Sequence, residues 1–230
     1  VLKAMGVVDW ILPEDAAQMA QSGDVLIRSP GVSKYRAEVT AMHAVGAHLT
    51  TATLLAFERL DPARIVAVTG TKGKSTTASL ISKALATTFE TQLVGNIGVA
   101  FLEADLNAEK IVVELSSYQC ADLVGQVAET RVLTNLFPEH LDWHRSEAAY
   151  FRDKTKLLSE ATQGISWVNG QDPQSLARLD AFPIAHRFGT ADSLHIANGI
   201  AWKVAERLGE MPVSSAMGTH MAANAAAALA

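Results

Sequence analysis

The stretch Arg64–Leu85, RIVAVTGTKGKSTTASLISKAL, decides the fold. It begins with a continuous apolar run, passes through TGTKGKSTT at Thr69–Thr77, and continues as a helix-favouring segment with almost no connecting loop. A strand that leads through a glycine turn straight into a helix is the setting of a phosphate-binding loop in a parallel sheet. The sequence therefore predicts an α/β protein with a helix over Lys74–Leu85.

This loop is more compact than the commonest phosphate loop, whose pattern G-x-x-x-x-G-K-[ST] would require a glycine at the strand residue Val68. Gly70 and Gly73 still allow backbone amides to turn toward an anion at the start of the helix. Lys74 is then placed to reach terminal phosphates, and the Ser75 hydroxyl suits Mg²⁺. The alternative is an ordinary glycine turn with surface lysines. Strand, loop, Lys-Ser pair and helix occur in order, which favours a nucleoside triphosphate.

The same alternation continues along the chain. Apolar runs such as DVLIRS, TQLVGN, KIVVELSS, TRVLTNL and GISWVNG alternate with helical stretches such as KYRAEVTAMHAVG and SEAAYFRDKTKLLSEA. Apolar strands separated by helices indicate a parallel sheet covered on both faces. The later stretch from FGTADSLHIANG to MPVSSAMG predicts short strands in an antiparallel edge hairpin. The expected fold class is a parallel sheet that contains the phosphate loop and is flanked by helices, with a partial, smaller α/β domain before it.

Domain limits follow from turn signals and from the two ends. LDPARI, with Pro62 after Asp61, marks the expected boundary between a partial domain at 1–61 and a main domain at 62–230. The chain opens without a capped element and closes in the alanine-rich HMAANAAAALA without a stop signal. We therefore expect a fragment of a longer protein.

Composition limits the class of protein and its partners. With 230 residues, 49% of them hydrophobic, and a net charge of -5, the chain is expected to be globular. It has no apolar run near the roughly 20 residues of a membrane helix, and no export signal, so we expect a cytoplasmic protein without a membrane partner. The mildly negative net charge and the absence of blocks of like charge argue against a nucleic-acid partner. The single cysteine, Cys120, agrees with a reducing compartment.

One carboxylate accompanies the loop. KIVVELSSYQ is a strand that ends at Glu114, at the edge where parallel sheets bind ligands. Carboxylate oxygens suit Mg²⁺, so the prediction is a metal ligand. A strand-end acid that faces water is the simpler interpretation for Glu114 taken alone.

A lysine falls on the apolar side of the helix predicted within SEAAYFRDKTKLLSEA. Lys154 lies on the apolar stripe, whereas Lys156 is rotated about 200° away and is expected to face out. Burial lowers the pKa of a lysine, and a neutral amine can take up CO₂ to become an anionic, metal-binding carbamate. On the pattern alone, snorkelling to the stripe edge is the favoured alternative. The stripe consists of Tyr150, Phe151, Leu157, Leu158 and Ala161.

Six motifs in order then resemble the Mur ligases of peptidoglycan synthesis. They are TGTKGKSTT, VGNIG, VVELSSYQ, NLFPEHLDWH, YFRDK and GTHMAAN, and the match as a whole runs from about Ser29 to Asn224. The resemblance accounts for the compact loop, since this family uses T-G-[ST]-x-G-K-[ST]-T. It implies an ATP-dependent ligase that adds glutamate to UDP-N-acetylmuramoyl-L-alanine through an acyl phosphate. It also implies a partial UDP-binding domain at 1–61, a central ATP-binding domain at 62–230, and an absent C-terminal amino-acid-binding domain.

The resemblance assigns roles to residues of this sequence. ATP and a pair of Mg²⁺ ions are the implied cofactors, with the protein acting as a monomer. The implied catalytic residues are Lys74, Glu114, His140 and Lys154. The implied ATP-binding residues are Thr71, Lys72, Gly73, Lys74, Ser75, Thr76 and Asn224. The implied metal ligands are Ser75 with Glu114 and His140 with Lys154 as a carbamate, and the implied substrate contacts are Ser29, Asn96, Ser116 and Gln119.

Alternatives and departures remain open at this stage. D-glutamate comes first on frequency, with an L-glutamate-adding branch as the alternative. Folylpolyglutamate synthase, a non-catalytic ATP-binding module and a generic phosphate-loop hydrolase or kinase are the other candidates. Lys72 stands where these loops often carry Asn, and Met221 follows His220 where the family usually shows Asn. Without the resemblance, His140 is simply a loop histidine that faces solvent.

Overall fold

The computed structural model describes residues 12–182, 184–197, 200–203, 206–210 and 224–228. The chain forms two compact units, which divide between Thr51 and Ala52. This division falls before the expected boundary at Pro62. The reason is that Ala56, Phe57 and Leu60, which precede the Asp-Pro turn, are buried in the core of the second unit.

The first unit is a small α/β unit, as the sequence predicts. Its elements are α1 (Pro13–Met19), β1 (Val25–Ile27), α2 (Ala37–Ala44) and β2 (His48–Thr50). The two strands pair in parallel, with Val25 opposite His48 and Ile27 opposite Thr50. The strand in DVLIRS and the helix in KYRAEVTAMHAVG were both expected, whereas α1 and β2 were not.

The second unit contains the long elements of the chain. Its strands are β3 (Ile65–Thr69), β4 (Thr91–Gly95), β5 (Lys110–Glu114), β6 (Thr130–Leu133), β7 (Ile165–Asn169), β8 (Ala185–Phe188), β9 (Leu194–Ala197), β10 (Ile200–Lys203) and β11 (Glu206–Glu210). Its helices are α3 (Ala52–Phe57), α4 (Lys74–Leu85), α5 (Ser117–Asp122), α6 (Leu141–His144), α7 (Glu147–Ser159) and α8 (Pro173–Leu176), with a further helical segment at 224–228.

These strands form one sheet in the order β11-β10-β9-β8-β7-β6-β3-β5-β4. The pairings from β4 through β9 are parallel, while β10 pairs in antiparallel fashion with β9 and with β11. The structure therefore confirms the parallel sheet and the antiparallel edge expected from the sequence. It adds β8, which the sequence analysis did not identify.

Apolar side chains cover both faces of the sheet. Along β3, Ala67 joins the core on one face and the next residue, Val68, joins the core on the other. The first face packs against α7 through Tyr150 and Leu158, and the second packs against α4 through Ile81. Strands buried on both faces need uninterrupted apolar runs, which is why RIVAV and KIVV lack polar alternation.

The strand order fixes the location of the candidate site. β3 is an interior strand, with β5 on one side and β6 on the other. Because these strands are parallel, their carboxyl ends at Thr69, Glu114 and Leu133 lie along the same edge. The chain places strands first on one side of β3 and then on the other. At such a switch in strand order, α/β sheets bind ligands in a crevice at the carboxyl edge.

Candidate active site

Two glycines shape the loop between β3 and α4. Gly70 has φ of 144°, and a side chain there would approach the Thr134 hydroxyl oxygen to 1.9 Å. Gly73 has φ of 81° and caps α4, and a side chain there would approach the Asn224 amide oxygen to 2.7 Å. Both positions combine a left-handed backbone with close neighbours, so only glycine fits. Asn224, an implied ATP contact, is 7% exposed and lies directly against the loop.

The segment after β6 holds this loop in place. The Thr71 amide donates to the Asn135 carbonyl oxygen at 3.0 Å, and the Lys72 amide donates to the Asn135 side-chain oxygen at 2.8 Å. The Asn135 side-chain nitrogen and the Thr134 hydroxyl both donate to the Lys72 carbonyl oxygen, at 3.0 and 2.7 Å. The sequence analysis did not identify Thr134 or Asn135, since nothing local in the sequence links them to the loop.

These bonds distinguish the loop amides that already have a partner from those that remain available to bind an anion. The amides of Thr71 and Lys72 already have partners, whereas the first helical bond of α4 runs from the Thr77 amide to the Gly73 carbonyl oxygen. The amides of Lys74, Ser75 and Thr76 therefore belong to the first turn of the helix, where N–H groups have no intrahelical partner. Together with the helix dipole, they form the anion-binding end of the loop.

Lys74 and Ser75 occupy that first turn. The Lys74 amine donates to the Thr71 carbonyl oxygen at 2.9 Å and so lies over the loop rather than pointing away from it. Ser75 is exposed, and its hydroxyl is open to a ligand. This is the arrangement that a triphosphate and its metal need.

Glu114 ends β5 beside the loop. It pairs with Val68 on one side and with Gly95 on the other, and it is 3% exposed. Its Oε2 is buried and has no hydrogen-bond partner among the described residues. An unpaired carboxylate oxygen is costly to bury, and a cation would satisfy it. Glu114 therefore fits a Mg²⁺ ligand better than a strand-end acid that faces water.

Lys154 lies within α7 and is 3% exposed. Its amine donates to the Gly70 carbonyl oxygen at 2.7 Å and lies 5.2 Å from the centre of the Tyr150 ring. Burial, with a smaller contribution from the charge of Lys74, lowers the pKa of Lys154 from 10.5 to about 8. The structure thus confirms the inward lysine, and the snorkelling alternative is wrong.

Lys156, on the same helix, differs from its expected position. The sequence analysis placed it outward, but it is half-buried and its amine donates to the Leu123 carbonyl oxygen at 2.7 Å. The end of α5 covers this side of α7, so a long side chain bonds the last carbonyl groups there.

His140 lies in the segment between β6 and α6. Its backbone is left-handed, with φ of 54°, and about half of its side chain is exposed. Its ring lies 4.9 Å from the Tyr118 ring, and its Nε2 lies 4.0 Å from a Glu139 oxygen. Lys72, which stands where these loops often carry Asn, forms an ion pair with Glu139. This ion pair connects the loop to the segment that contains His140.

Ser116 and Gln119 cap α5. The Gln119 side-chain oxygen accepts from the Ser116 amide and hydroxyl, both at 2.9 Å, and the Gln119 side-chain nitrogen donates to the Thr53 hydroxyl at 3.2 Å. The spacing S-x-x-Q is the signature of a capping box, a signal that the sequence analysis overlooked. Asn96, exposed just after β4, lies beside Glu114, whose carbonyl oxygen its amide approaches to 3.5 Å. Ser29 is exposed in the first unit.

The loop, the unpaired Glu114 oxygen and the inward Lys154 meet at one sheet edge. A model of the Mur ligase middle domain matches residues 68–230. The chain belongs to the Mur ligase family. Members of this family are ATP-dependent ligases that form amide bonds.

Similar proteins narrow the position of this Mur ligase within the family. UDP-N-acetylmuramoyl-L-alanine--L-glutamate ligase of Salinispora tropica is 40% identical over 93% of this chain and 48% of its own length. Proteins of the same name from a Micromonospora species and from Xanthomonas campestris pv. campestris are 41% and 40% identical, over 94% and 87% of this chain. The chain spans about half the length of these curated relatives.

Solved Mur ligase structures share the fold at low identity. UDP-N-acetylmuramate:L-alanyl-gamma-D-glutamyl-meso-diaminopimelate ligase from Neisseria meningitides matches with a TM-score of 0.64 and 21% identity, over 99% of this chain and 79% of that chain. A D-alanyl-D-alanyl-adding ligase from Acinetobacter baumannii matches with a TM-score of 0.59 and 18% identity, over 93% and 57%. These likenesses support the α/β architecture.

The oxygen donors Glu114 and Ser75 are of the type that magnesium prefers. Within the described part of the chain, no three histidine, cysteine, aspartate or glutamate side chains come together as metal ligands. Mg²⁺ commonly takes one or two carboxylates and completes its shell with phosphates and water. Glu114 with a loop serine fits that pattern. Among the described residues, none of the helices combines the length and apolar character needed to cross a membrane.

Part of the C-terminal stretch lies outside the described residues. His220 and Met221, where this sequence departs from the family pattern, are among the residues that the structure does not describe. The last described segment, 224–228, is helical, as the alanine-rich sequence predicts.

Proposed function

We propose that the full-length protein uses ATP to join L-glutamate to UDP-N-acetylmuramoyl-L-alanine. The observation that carries this proposal is the buried Lys154 amine bonded to the Gly70 carbonyl oxygen of the phosphate loop. A generic phosphate-loop hydrolase or kinase has no use for an inward lysine at that point. A ligase that needs an anionic, metal-binding carbamate does.

The names of the relatives favour the choice of L-glutamate. The relatives cited above, at about 40% identity, are named L-glutamate ligases. The sequence analysis placed D-glutamate first on frequency and kept the L-glutamate branch as the alternative. Similarity to these proteins now favours that alternative.

Charge neutralisation is the chief task of the site. The substrate carboxylate attacks the terminal phosphorus of ATP, and ADP leaves, which produces an acyl phosphate. The glutamate amine then attacks the acyl carbon, and phosphate leaves from the tetrahedral intermediate as the amide forms. Each step brings anionic groups together, so fixed positive groups lower the barrier. Lys74 and the amides of the first turn of α4 supply them.

Magnesium would supply further positive charge and orient the phosphate oxygens when bound. We propose that Ser75 and Glu114 hold one ion and that His140 and the Lys154 carbamate hold another. The carbamate forms when the neutral Lys154 amine adds to CO₂ and releases a proton. The depressed pKa of Lys154 supports this, because a neutral amine is the form that reacts.

The remaining assignments follow the resemblance. The following residues bind ATP: Thr71, Lys72, Gly73, Thr76 and Asn224. The muramoyl nucleotide contacts Ser29, Asn96, Ser116 and Gln119. Because Gln119 already caps α5, its contact requires a shared or exchanged hydrogen bond. The proposed location is the cytoplasm, and the proposed active form is a monomer with no nucleic-acid or membrane partner.

Phosphate release by the purified full-length protein tests the proposal. Release should require ATP, Mg²⁺, UDP-N-acetylmuramoyl-L-alanine and L-glutamate together, with D-glutamate as the matched comparison. Faster release with D-glutamate would overturn the stereochemical assignment alone. Release without an acceptor indicates a hydrolase, turnover of a folate acceptor indicates the folylpolyglutamate alternative, and no turnover with any acceptor indicates a binding module.

A further inference from the structure

Three buried polar side chains form a chain of hydrogen bonds behind the site. His144, which ends α6, has its Nδ1 2.8 Å from an Asp153 carboxylate oxygen in α7 and its Nε2 3.0 Å from the Ser117 hydroxyl in α5. The three residues are 0%, 1% and 2% exposed in that order. Since the carboxylate only accepts, Nδ1–H donates to it, and the ring orientation is fixed at both nitrogens.

This order of serine, histidine and acid is also that of a nucleophilic triad, but burial argues against that role. A nucleophile must reach a substrate carbonyl. Ser117 is enclosed by protein, and its hydroxyl faces the imidazole. The cluster therefore acts through its neighbours rather than on a substrate.

Each member stands next to a residue of the proposed site. Ser117 follows the cap residue Ser116, and Asp153 precedes Lys154. His144 ends the short helix that His140 caps. The cluster therefore ties α5, α6 and α7 to one another next to three residues of the proposed site.

The polar character of the cluster supports a positioning role. Apolar side chains of similar volume would fill this space without burying a carboxylate. A satisfied polar network, in contrast, admits one arrangement, since any shift leaves a buried group without its partner. The His144 ring also packs edge-on against Tyr150 at 5.2 Å, so it links the cluster to the apolar side of α7.

We propose that Ser117, His144 and Asp153 are positioning residues that hold the Lys154 amine against the loop. The effect on Lys154 rests on geometry alone, while its consequence for catalysis rests on the proposed function. Removing the imidazole should let α7 shift or rotate, so that Lys154 loses its fixed place beside Gly70. Lys156 is only half-buried and already reaches solvent, so its reactivity should change much less.

Reductive methylation with ¹³C-formaldehyde tests the positioning without any turnover. In the full-length protein, the Lys154 signal is assigned by its loss in Lys154→Ala, and Lys156 serves as the internal reference. His144→Phe keeps a packed ring but removes both hydrogen bonds, so Lys154 should methylate severalfold faster relative to Lys156. Equal acceleration of both lysines, or of neither, would overturn the proposal.

Milder variants keep the test valid if His144→Phe does not fold. Asp153→Asn retains an oxygen that accepts from Nδ1–H and should affect Lys154 less than Asp153→Leu does. Ser117→Ala should give an intermediate effect. Thr155→Val is the matched control, because Thr155 is buried beside Lys154 and, within the described part of the chain, its hydroxyl bonds to carbonyls of its own helix. A Thr155→Val effect as large as that of Asp153→Leu contradicts the proposal.

Turnover provides the second readout. His144→Phe and Asp153→Leu should lower kcat by roughly 10- to 100-fold, as for groups that orient metal ligands, with KM for ATP nearly unchanged. If the wild type does not ligate glutamate, the proposed function fails while the methylation result still decides the positioning role. A fall in kcat without a change at Lys154 overturns the positioning role alone.

Discussion

At the scale of single residues, Lys154 distinguishes this site from an ordinary phosphate loop. The helical period placed Lys154 on the apolar stripe between Tyr150 and Leu157, but this pattern alone favoured snorkelling to the stripe edge over an inward amine. Its partner, the Gly70 carbonyl oxygen, could not be predicted from periodicity, since the bond joins residues that are far apart in sequence. The sequence likewise did not predict that a Glu114 oxygen is buried without a hydrogen-bond partner, because this depends on the fold around it.

Burial of Lys154 predicts a particular pH dependence of stability. Its pKa is 10.5 in the unfolded chain and about 8 in the folded one. The unfolded state therefore binds more protons between these values, and the free energy of unfolding rises with pH in that window. Relative to Lys154→Met, the wild type should gain about 3 kcal/mol from pH 7 to pH 11. Urea unfolding in CO₂-free buffer measures this, and a flat difference contradicts it.

Gly70 should be the least replaceable glycine of the loop. Gly70→Ala combines a φ of 144° with a clash at 1.9 Å, whereas the control Gly125→Ala has a φ of 66° and open space. Backbone strain alone costs about 1 kcal/mol, and crowding adds roughly 1–3 kcal/mol. Gly70→Ala should lower both the melting temperature and the affinity for ATP. Equal losses in the two variants would show that contact with Thr134 is unimportant.

At the scale of elements, the sequence predicts a strand or helix best when the element is long and its apolar residues follow a clear pattern. The helix of the phosphate loop was predicted to the residue and its strand to within one residue at either end, since a long apolar run and a capping glycine both lie in one stretch. Short elements such as β2, β8 and α5 went unrecognised, because three to six residues are too few to show a period. Tertiary contacts such as those of Asn135 leave no local trace.

The hydrogen bonds between the β6 segment and the loop predict a binding defect. Asn135→Ala removes the side-chain bonds to the Lys72 amide and carbonyl group. At about 1 kcal/mol for each bond, ATP affinity should fall roughly tenfold or more, because the loop loses its preformed shape. Isothermal titration calorimetry measures this, with the exposed Asn107→Ala as control. Unchanged affinity in Asn135→Ala would mean that the loop is held by its glycines alone.

The core contacts of α7 predict a stability effect. Leu158 is 0% exposed and packs in the main core, whereas Ser159 beside it is exposed. Leu158→Ala should destabilise the protein by about 2–5 kcal/mol, since it removes apolar contacts and leaves a cavity. Ser159→Ala should stay within about 0.5 kcal/mol. Similar urea midpoints for the two variants would contradict the packing described for this helix.

At the scale of the whole molecule, the chain consists of two α/β units and spans about half the length of its curated relatives. The sequence predicted both units and the sheet of the second. It placed their boundary at the Asp-Pro turn, because a turn is recognised from neighbouring residues. Which core a residue joins depends on contacts between distant parts of the chain. The proposed reaction is therefore tested in the full-length protein.

Chemical rescue of Lys154→Ala in the full-length protein tests the central claim most directly. The account predicts that ligation of L-glutamate falls at least about 100-fold in this variant, as expected for loss of a metal ligand, and partly returns when a short-chain carboxylic acid is added. Lys156→Ala, the control, should need no rescue. Full activity in Lys154→Ala, or a loss that no carboxylic acid restores, would contradict the account.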